Sequence, residues 1–318
     1  MLDCSISILT KNEGKNIGPC LEAVFSQKGV GEFEVLLVDS GSTDATVKIA
    51  SQFPIRIEQI RPEEFHHART RNFAANLGTG TIIVNLSGDA LPASDFWLRE
   101  LLANFSDPGV GAVYGRQLPK PGSPMERHDT YDRIYGDQKI VKDPACRNEM
   151  GYRFYHFSDV NSALRRSMWE KIPFPEDFKI FEDLAIAKRI LDAGSKIVYE
   201  PNAPVFHSHH YTSAQLVKRY FDIGYTLKQL GIWEVSGTRS SLLQDLGHLL
   251  LKQLGHRKEA VSVRRTPAVG QSLAKSAGLL LGLNQRFLPL ALKRRLSAHR
   301  VYDTRNSAAI ASSGSVEV

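Results

Sequence analysis

The sequence predicts an α/β fold, a mostly parallel sheet flanked by helices and followed by a helical C-terminal extension. Three observations predict it. Short apolar runs alternate with helical patterns through the first hundred residues, polar side chains stand just past several of those runs, and beyond Thr212 the chain turns to helical stretches with basic faces. In order, Ser5–Leu9 reads as a strand, 18–27 as a helix, Phe33–Val38 as a buried strand, Asp44–Gln52 as a helix and Ile55–Ile60 as a strand. Ala68–Leu77 follows as a helix, Thr81–Leu86 as a strand, and Ser94–Phe105 as a helix entered through a Ser cap after Pro92. From Gly115 to Val160 the pattern is irregular, with Pro119, Pro121, Pro124 and Pro144, and suggests loops over one face of the sheet that cover a substrate. Glu182–Ala193 is a helix closed by Gly194, Lys196–Tyr199 a strand, and a Pro-Asn-Ala-Pro turn leads to His207-Ser208-His209-His210. These boundaries predict an α/β domain over 1–211, a basic helical region over 212–305 and a small, polar, disordered tail over 306–318.

Parallel sheets bind ligands beyond the carboxyl ends of their strands, which directs attention to Thr10, Asp39 and Asp89. No GxGxxG opens a helix after the first strand and no GxxxxGK[ST] is present, so dinucleotide and P-loop chemistry lose their main support. With 42% hydrophobic and 23% charged residues in 318, disordered, collagen-like and coiled-coil classes are excluded. Cys4, Cys20 and Cys146 have no CxxC spacing and fit reduced intracellular thiols. A start carrying Asp3, Ser5 and Ser7 does not read as a signal peptide, and the apolar stretch 277–292 is cut by Asn284, Gln285, Arg286 and Pro289, too soon for a spanning helix. The expectation is therefore a cytoplasmic protein.

Six motifs then carry a resemblance: Ile8-Leu9-Thr10-Lys11-Asn12-Glu13, Val38-Asp39-Ser40-Gly41-Ser42-Thr43-Asp44, Phe65-His66-His67-Ala68-Arg69-Thr70-Arg71-Asn72, Leu86-Ser87-Gly88-Asp89-Ala90-Leu91-Pro92, Phe181-Glu182-Asp183-Leu184 and Val205-Phe206-His207-Ser208-His209. In this order and spacing, over about 210 residues, the chain resembles a family 2 glycosyltransferase of the GT-A fold, with the flavour of bacterial rhamnosyltransferases. The resemblance implies an inverting transfer of a sugar, rhamnose among the candidates, from a dTDP-, UDP- or GDP-linked donor to a cell-envelope polysaccharide or glycolipid acceptor, saccharide or lipid-linked.

It also assigns roles. Thr10, Asn12, Glu13, Asp39, Arg71, Asn72, Ser87 and Gly88 stand at donor-binding positions, Asp39 as acceptor for the imide N–H of a pyrimidine base. The lesser alternative for Asp39 is a turn former or helix N-terminal acid, and Asp44 reads as the cap of the next helix. Asp89 resembles the last acid of the family's DxD metal motif, but Ser87 replaces the first acid, so another ligand is needed. His207 matches the late histidine that completes the metal shell, His209 competes for that role, and Mg2+ or Mn2+ suits carboxylate, imidazole and diphosphate oxygens. Glu182 and Asp183 open a helix, where the macrodipole alone would favour acids. The resemblance makes Asp183 the catalytic base and Glu182 a group positioning the acceptor, with the two exchangeable. Asn161 falls on the acceptor side or serves as a structural hydrogen-bonding residue, Arg69 reads as a solvated face and Trp169 as core. The lost first acid also leaves open a catalytically silent scaffold of this fold within a polysaccharide assembly complex.

The net charge of +6 is uneven: residues 1–211 carry 24 basic and 28 acidic side chains (24 − 28 = −4), and 212–318 carry 16 and 6 (16 − 6 = +10). Tyr220, Ile223, Leu227 and Leu230 share a helical face beside Lys218, Arg219 and Lys228, and Leu288, Leu290 and Leu292 precede Lys293-Arg294-Arg295. Such segments suit the surface of an anionic bilayer, or pack on the protein with a solvated basic face. No nucleic-acid motif accompanies the charge.

Overall fold

The structure is a computed structural model that describes residues 3–123, 131–132, 134–178, 180–234 and 266–298. The chain divides into two compact units, Met1–His209 and His210–Val318.

The first unit is built on one nine-stranded sheet: β1 (Cys4–Thr10), β2 (Phe33–Asp39), β3 (Arg56–Gln59), β4 (Ile82–Ser87), β5 (Leu91–Pro92), β6 (Val110–Leu118), β7 (Ile140–Lys142), β8 (Asn161–Arg165) and β9 (Lys196–Phe206). Their order is β3-β2-β1-β4-β8-β6-β9-β5, with β7 on β9. β3, β2, β1 and β4 are mutually parallel, β8 runs antiparallel between β4 and β6, and β6 is again parallel to β9. Six strands thus share one direction, and β5, β7 and β8 oppose it.

Helices cover both faces, as a parallel sheet requires. On one face Ile6, Ile8, Leu37, Val84 and Leu86 pack with Leu21 and Val24 of α1 (Ile17–Phe25), Ala50 of α2 (Thr46–Ala50), and Leu98 and Leu101 of α4 (Trp97–Ala103). The opposite face takes α3 (His67–Leu77) with its buried Ala68, Ala74 and Ala75, α5 (Arg166–Lys171), and α6 (Glu182–Asp192) with Ala185, Ile186 and Ile190. Neither α4 nor α2 is capped by the serine or acid expected: the N-caps are Phe96 and Ala45, without a side-chain cap, and Ser94 Oγ and Asp44 Oδ1 accept instead from the Phe96 N–H at 3.1 Å and the Thr46 N–H at 3.0 Å, in the turns leading into the helices.

Two further expectations need correction. β9 does not end at Tyr199; it continues through Pro201 and Pro204 to Phe206, opposite a register irregularity between Gly115 and Gln117 of β6. Pro is tolerated there because the ladder is locally irregular. Gly115 permits the approach, since a Cβ at that position would lie 2.3 Å from the Ala203 carbonyl. The stretch expected to be loops from Gly115 onward therefore begins with the last turns of β6 and contains β7.

The second unit contains α7 (Ser213–Gln229), α8 (Thr266–Leu283) and α9 (Leu290–Leu296). α7 and α8 pack closely through glycines: a Cβ at Gly278 would lie 2.3 Å from the Val217 carbonyl, and one at Gly282 2.1 Å from that of Phe221. The apolar face around Tyr220, Ile223 and Leu227 is engaged inside this unit, and Phe221 and Leu227 are buried. The expected tail 306–318 lies outside the described residues.

Candidate active site

Strand register assembles the first part of the site. Leu91 and Pro92 of β5 pair with Phe206 and Val205 of β9, which brings Asp89, two residues before β5, against His207, one residue after β9. His207 Nε2 lies 3.5 Å and His209 Nε2 3.7 Å from Asp89 Oδ2, and the three ligand atoms fall within 4.8 Å of one another. His207 is buried, and its Nδ1 meets Gln117 Oε1 at 2.9 Å. Lys120 Nζ stands 3.8 Å from the same Asp89 oxygen. One carboxylate and two imidazoles on a small contraction suit a divalent cation, and the imidazoles favour Mn2+ over Mg2+ among the hard ions. Ser87, in the place of an acid, is not part of this group. From sequence His207 and His209 compete for one ligand position; the structure brings both to Asp89.

The β1, β2 and β4 exits form a second part. Asp39 is fully buried and turns back on its own loop, accepting from the Gly41 N–H at 3.1 Å, the Ser42 N–H at 2.9 Å and the Ser42 hydroxyl. Asn12, at φ 56°, accepts at Oδ1 from the Thr43 N–H at 2.8 Å and donates its own N–H to Ser42 Oγ at 2.7 Å. The Glu13 N–H donates to Thr46 Oγ1 at 2.8 Å, and burial raises the Glu13 carboxyl above its ordinary pKa while Asn16 opposes the shift. The two loops after β1 and β2 are thereby knitted into one floor. Gly88 closes it: its N–H donates to the Leu9 carbonyl at 3.1 Å, and a Cβ there would sit 3.0 Å from Thr10 Oγ1. That buried Thr10 hydroxyl has no hydrogen-bond partner among the described residues.

The third part is an acid cluster around one guanidinium. Arg71, in the first turns of α3, places Nε 3.2 Å from Glu182 Oε1 and 3.3 Å from Asp159 Oδ2, and all three side chains are buried. Phe181 takes a left-handed backbone (φ 58°) at the start of α6, turning the chain so that Glu182 and Asp183 form its first turn. His67 Nδ1 lies 3.8 Å from Glu182 Oε1. Asp183 is partly exposed and its Oδ1 accepts from the Leu184 N–H at 2.7 Å. Burial, then the charges of Glu182 and Asp159, hold the Asp183 carboxyl well above the usual range. Burial likewise pushes Asp159 up to about 6, with Arg71 working against the shift. Three acids share one cation, so a proton is bound more tightly here than on an isolated Asp.

Two of the named residues are engaged structurally. Asn72 donates to the Phe174 carbonyl at 2.9 Å and accepts from the Phe174 N–H at 2.9 Å and Trp169 Nε1 at 3.0 Å. Asn161, fully buried, accepts from Trp97 Nε1 at 2.8 Å and donates to the Ala203 carbonyl at 2.8 Å. The second is the structural alternative already weighed for Asn161. Arg69 is exposed and pairs with Glu176 at 3.3 Å. Sequence reasoning gave no role to Asp159, Gln117 or Lys120. Asp159 lay two residues from the quoted Asn161; Gln117 carried no local signal, because its place depends on the β6–β9 register.

Known proteins agree with this geometry. The model of glycosyl transferase family 2 matches residues 5–172. The O-antigen chain rhamnosyltransferase RfbN of Salmonella typhimurium is 36% identical over 309 residues, covering 94% of this chain and 95% of that protein. WbaN of Salmonella anatum, also an O-antigen chain rhamnosyltransferase, is 38% identical over 279 residues, 85% of each. Among solved structures, the mannosyltransferase PcManGT of Pyrobaculum calidifontis, in complex with GDP-Man and Mn2+, has a TM-score of 0.54 at 18% identity, covering 98% of this chain and 79% of that one. TarS 1–349 of S. aureus, in complex with UDP-GlcNAc, has a TM-score of 0.56 at 15% identity over 95% and 88%. These likenesses show the GT-A fold, and the family match and the whole-length relatives settle the rest: the chain belongs to glycosyl transferase family 2 and is a glycosyltransferase.

Proposed function

We propose that the enzyme is an inverting rhamnosyltransferase that extends an O-antigen-type polysaccharide from a nucleoside-diphosphate donor, dTDP-linked in preference to UDP or GDP. The observation that carries the chemistry is the gathering of Asp89, His207 and His209 at the strand ends. The two Salmonella relatives, both O-antigen chain rhamnosyltransferases, support the sugar and acceptor.

In this reading the nucleoside end of the donor lies over the floor formed by Thr10, Asn12, Glu13, Asp39, Ser87 and Gly88, and the diphosphate faces Asp89, His207 and His209. Asp89, His207 and His209 would hold a divalent cation, which would supply positive charge against the departing diphosphate. Lys120 supplies a further positive charge beside Asp89. Asp183 accepts the proton of the acceptor hydroxyl as its oxygen bonds to the anomeric carbon and the bond from that carbon to the diphosphate oxygen breaks on the opposite face. A carboxyl held above its ordinary range, as Asp183 is by burial and the neighbouring acids, is in its ionised form a stronger base than an ordinary Asp. Arg71 holds Glu182 and Asp159 in place, which leaves Asp183 as the acid not drawn into that ion pair. Asn72 and Asn161 act in this reading through the framework, not through donor or acceptor.

Purified enzyme incubated with Mn2+, a saccharide acceptor and dTDP-rhamnose should form product and release dTDP; transfer from UDP-GlcNAc or GDP-mannose in preference to dTDP-rhamnose overturns the donor assignment. Turnover unaffected by a chelator overturns the metal.

The second unit supports a location at the inner face of the cell membrane. No described helix is long and apolar enough to cross a membrane. Leu273, Leu280 and Phe287, seven residues apart, are exposed together with Leu290 and Leu292, beside Arg286, Lys293, Arg294 and Arg295. Exposed apolar side chains among cations suit an anionic bilayer. Flotation with phosphatidylglycerol vesicles should retain the protein and phosphatidylcholine vesicles should not; equal recovery with both removes the assignment.

A further inference from the structure

We propose that Gln117 is a positioning residue that sets which ring nitrogen of His207 faces Asp89. The inference rests on the metal-assisted reading above and deepens it.

Gln117 lies on β6 directly opposite Val205 of β9, two residues before His207, and is 4% exposed. The His207 N–H donates to the Leu118 carbonyl at 2.8 Å, which fixes the backbone of the histidine against the strand that carries the glutamine. The Gln117 amide donates twice through Nε2, to the Tyr135 hydroxyl at 2.7 Å and to Ser158 Oγ at 2.9 Å. Both of its N–H groups are thus engaged, and Oε1 is the end that meets His207 Nδ1 at 2.9 Å. An amide oxygen only accepts, so Nδ1 carries the proton in the neutral ring. Nε2 is left with its lone pair directed to the side where Asp89 Oδ2 lies 3.5 Å away, as a metal ligand must be. Without this partner the ring would gain most by placing its proton on Nε2 and donating to Asp89, a state that removes both the ligand and the space for a cation. The contacts to Tyr135 and Ser158 hold the amide with Oε1 toward His207, and that orientation sets the tautomer.

Long-range proton–nitrogen NMR correlation at pH 8 on metal-free protein reads the tautomer without any activity. Wild-type His207 should show a protonated Nδ1 and an unprotonated Nε2. Gln117→Leu should shift the ring toward protonated Nε2 and weaken Mn2+ binding, measured calorimetrically with dTDP present, by about 10- to 100-fold. Gln117→Glu keeps an acceptor at the same end and should hold the wild-type tautomer and an affinity at least equal to wild type. Thermal melting of both variants separates loss of fold from loss of ligand orientation. A wild-type ring protonated on Nε2, or Gln117→Leu binding Mn2+ within twofold of wild type, overturns the proposal. Wild-type protein that binds no Mn2+ but shows the Nδ1 proton would instead overturn the metal reading and leave the positioning contact standing.

Discussion

The metal-side group and the acid cluster both gather carboxylates at the strand ends, and they solve the problem of buried charge in opposite ways. Asp89 is a single acid beside two imidazoles and Lys120, so the group carries little net charge of its own and gains from an added dication. Asp159, Glu182 and Asp183 are three acids with one internal cation, Arg71, and the imbalance is met by raising the proton affinity of Asp159 and Asp183. The contrast separates two functions that acids perform in a sugar transfer. In the proposed mechanism one site would recruit charge from solution to stabilise a leaving diphosphate, and the other would retain enough excess negative charge to take a proton.

The sharpest way to break this division is Asp183→Asn, which should lower kcat by about 10²- to 10⁴-fold while Mn2+ and nucleotide affinities stay within a few-fold of wild type. An equal loss of nucleotide affinity would show that the clusters are one site. Next comes the internal cation: Arg71→Met leaves buried acids without their partner and should cost about 3–5 kcal/mol of stability, read as a lower midpoint in urea unfolding. Asp89→Asn removes the one carboxylate of the metal group and should weaken Mn2+ binding at least about 10-fold, with the melting temperature of the metal-free protein nearly unchanged. The last effect is in the pH dependence. Asp159 is held at about 6 in the folded protein, above the ~3.9 of an unfolded Asp. The native state therefore binds the proton more tightly, so the contribution is fully present below about pH 4 and is lost as pH rises to about 6, on the order of 3 kcal/mol in total. Asp159→Asn should flatten the unfolding free energy across that window.

Much of this was legible in the chain because parallel strands announce themselves by apolar runs and end on polar residues. Thr10, Asp39, Ser87, Gly88 and Asp89 stand at strand exits, and Glu182–Asp183 at a helix start, as their local sequence predicts. What stayed hidden depends on pairing between distant strands. Gln117 and Lys120 fell in a stretch read as loops, and their places follow from a β6–β9 ladder interrupted near Gly115. The extension of β9 was hidden by Pro201 and Pro204, which locally read as a turn. On sequence grounds the apolar face of α7 suits a membrane or packing on the catalytic domain; that α7 also lies backbone to backbone on α8 was hidden, because it depends on glycines more than fifty residues away.

By itself the sequence determined the fold class, the order of the six motifs and the chemical types at the strand ends, since periodicity and turn chemistry are local properties. Only the tertiary structure decided that Arg71 faces Glu182 and Asp159, that Asn72 and Asn161 are held within the framework, and that His207 and His209 both reach Asp89. Those outcomes rest on contacts between residues far apart in the chain, set by strand register and by which polar groups find partners once buried, and neither is encoded within any short window.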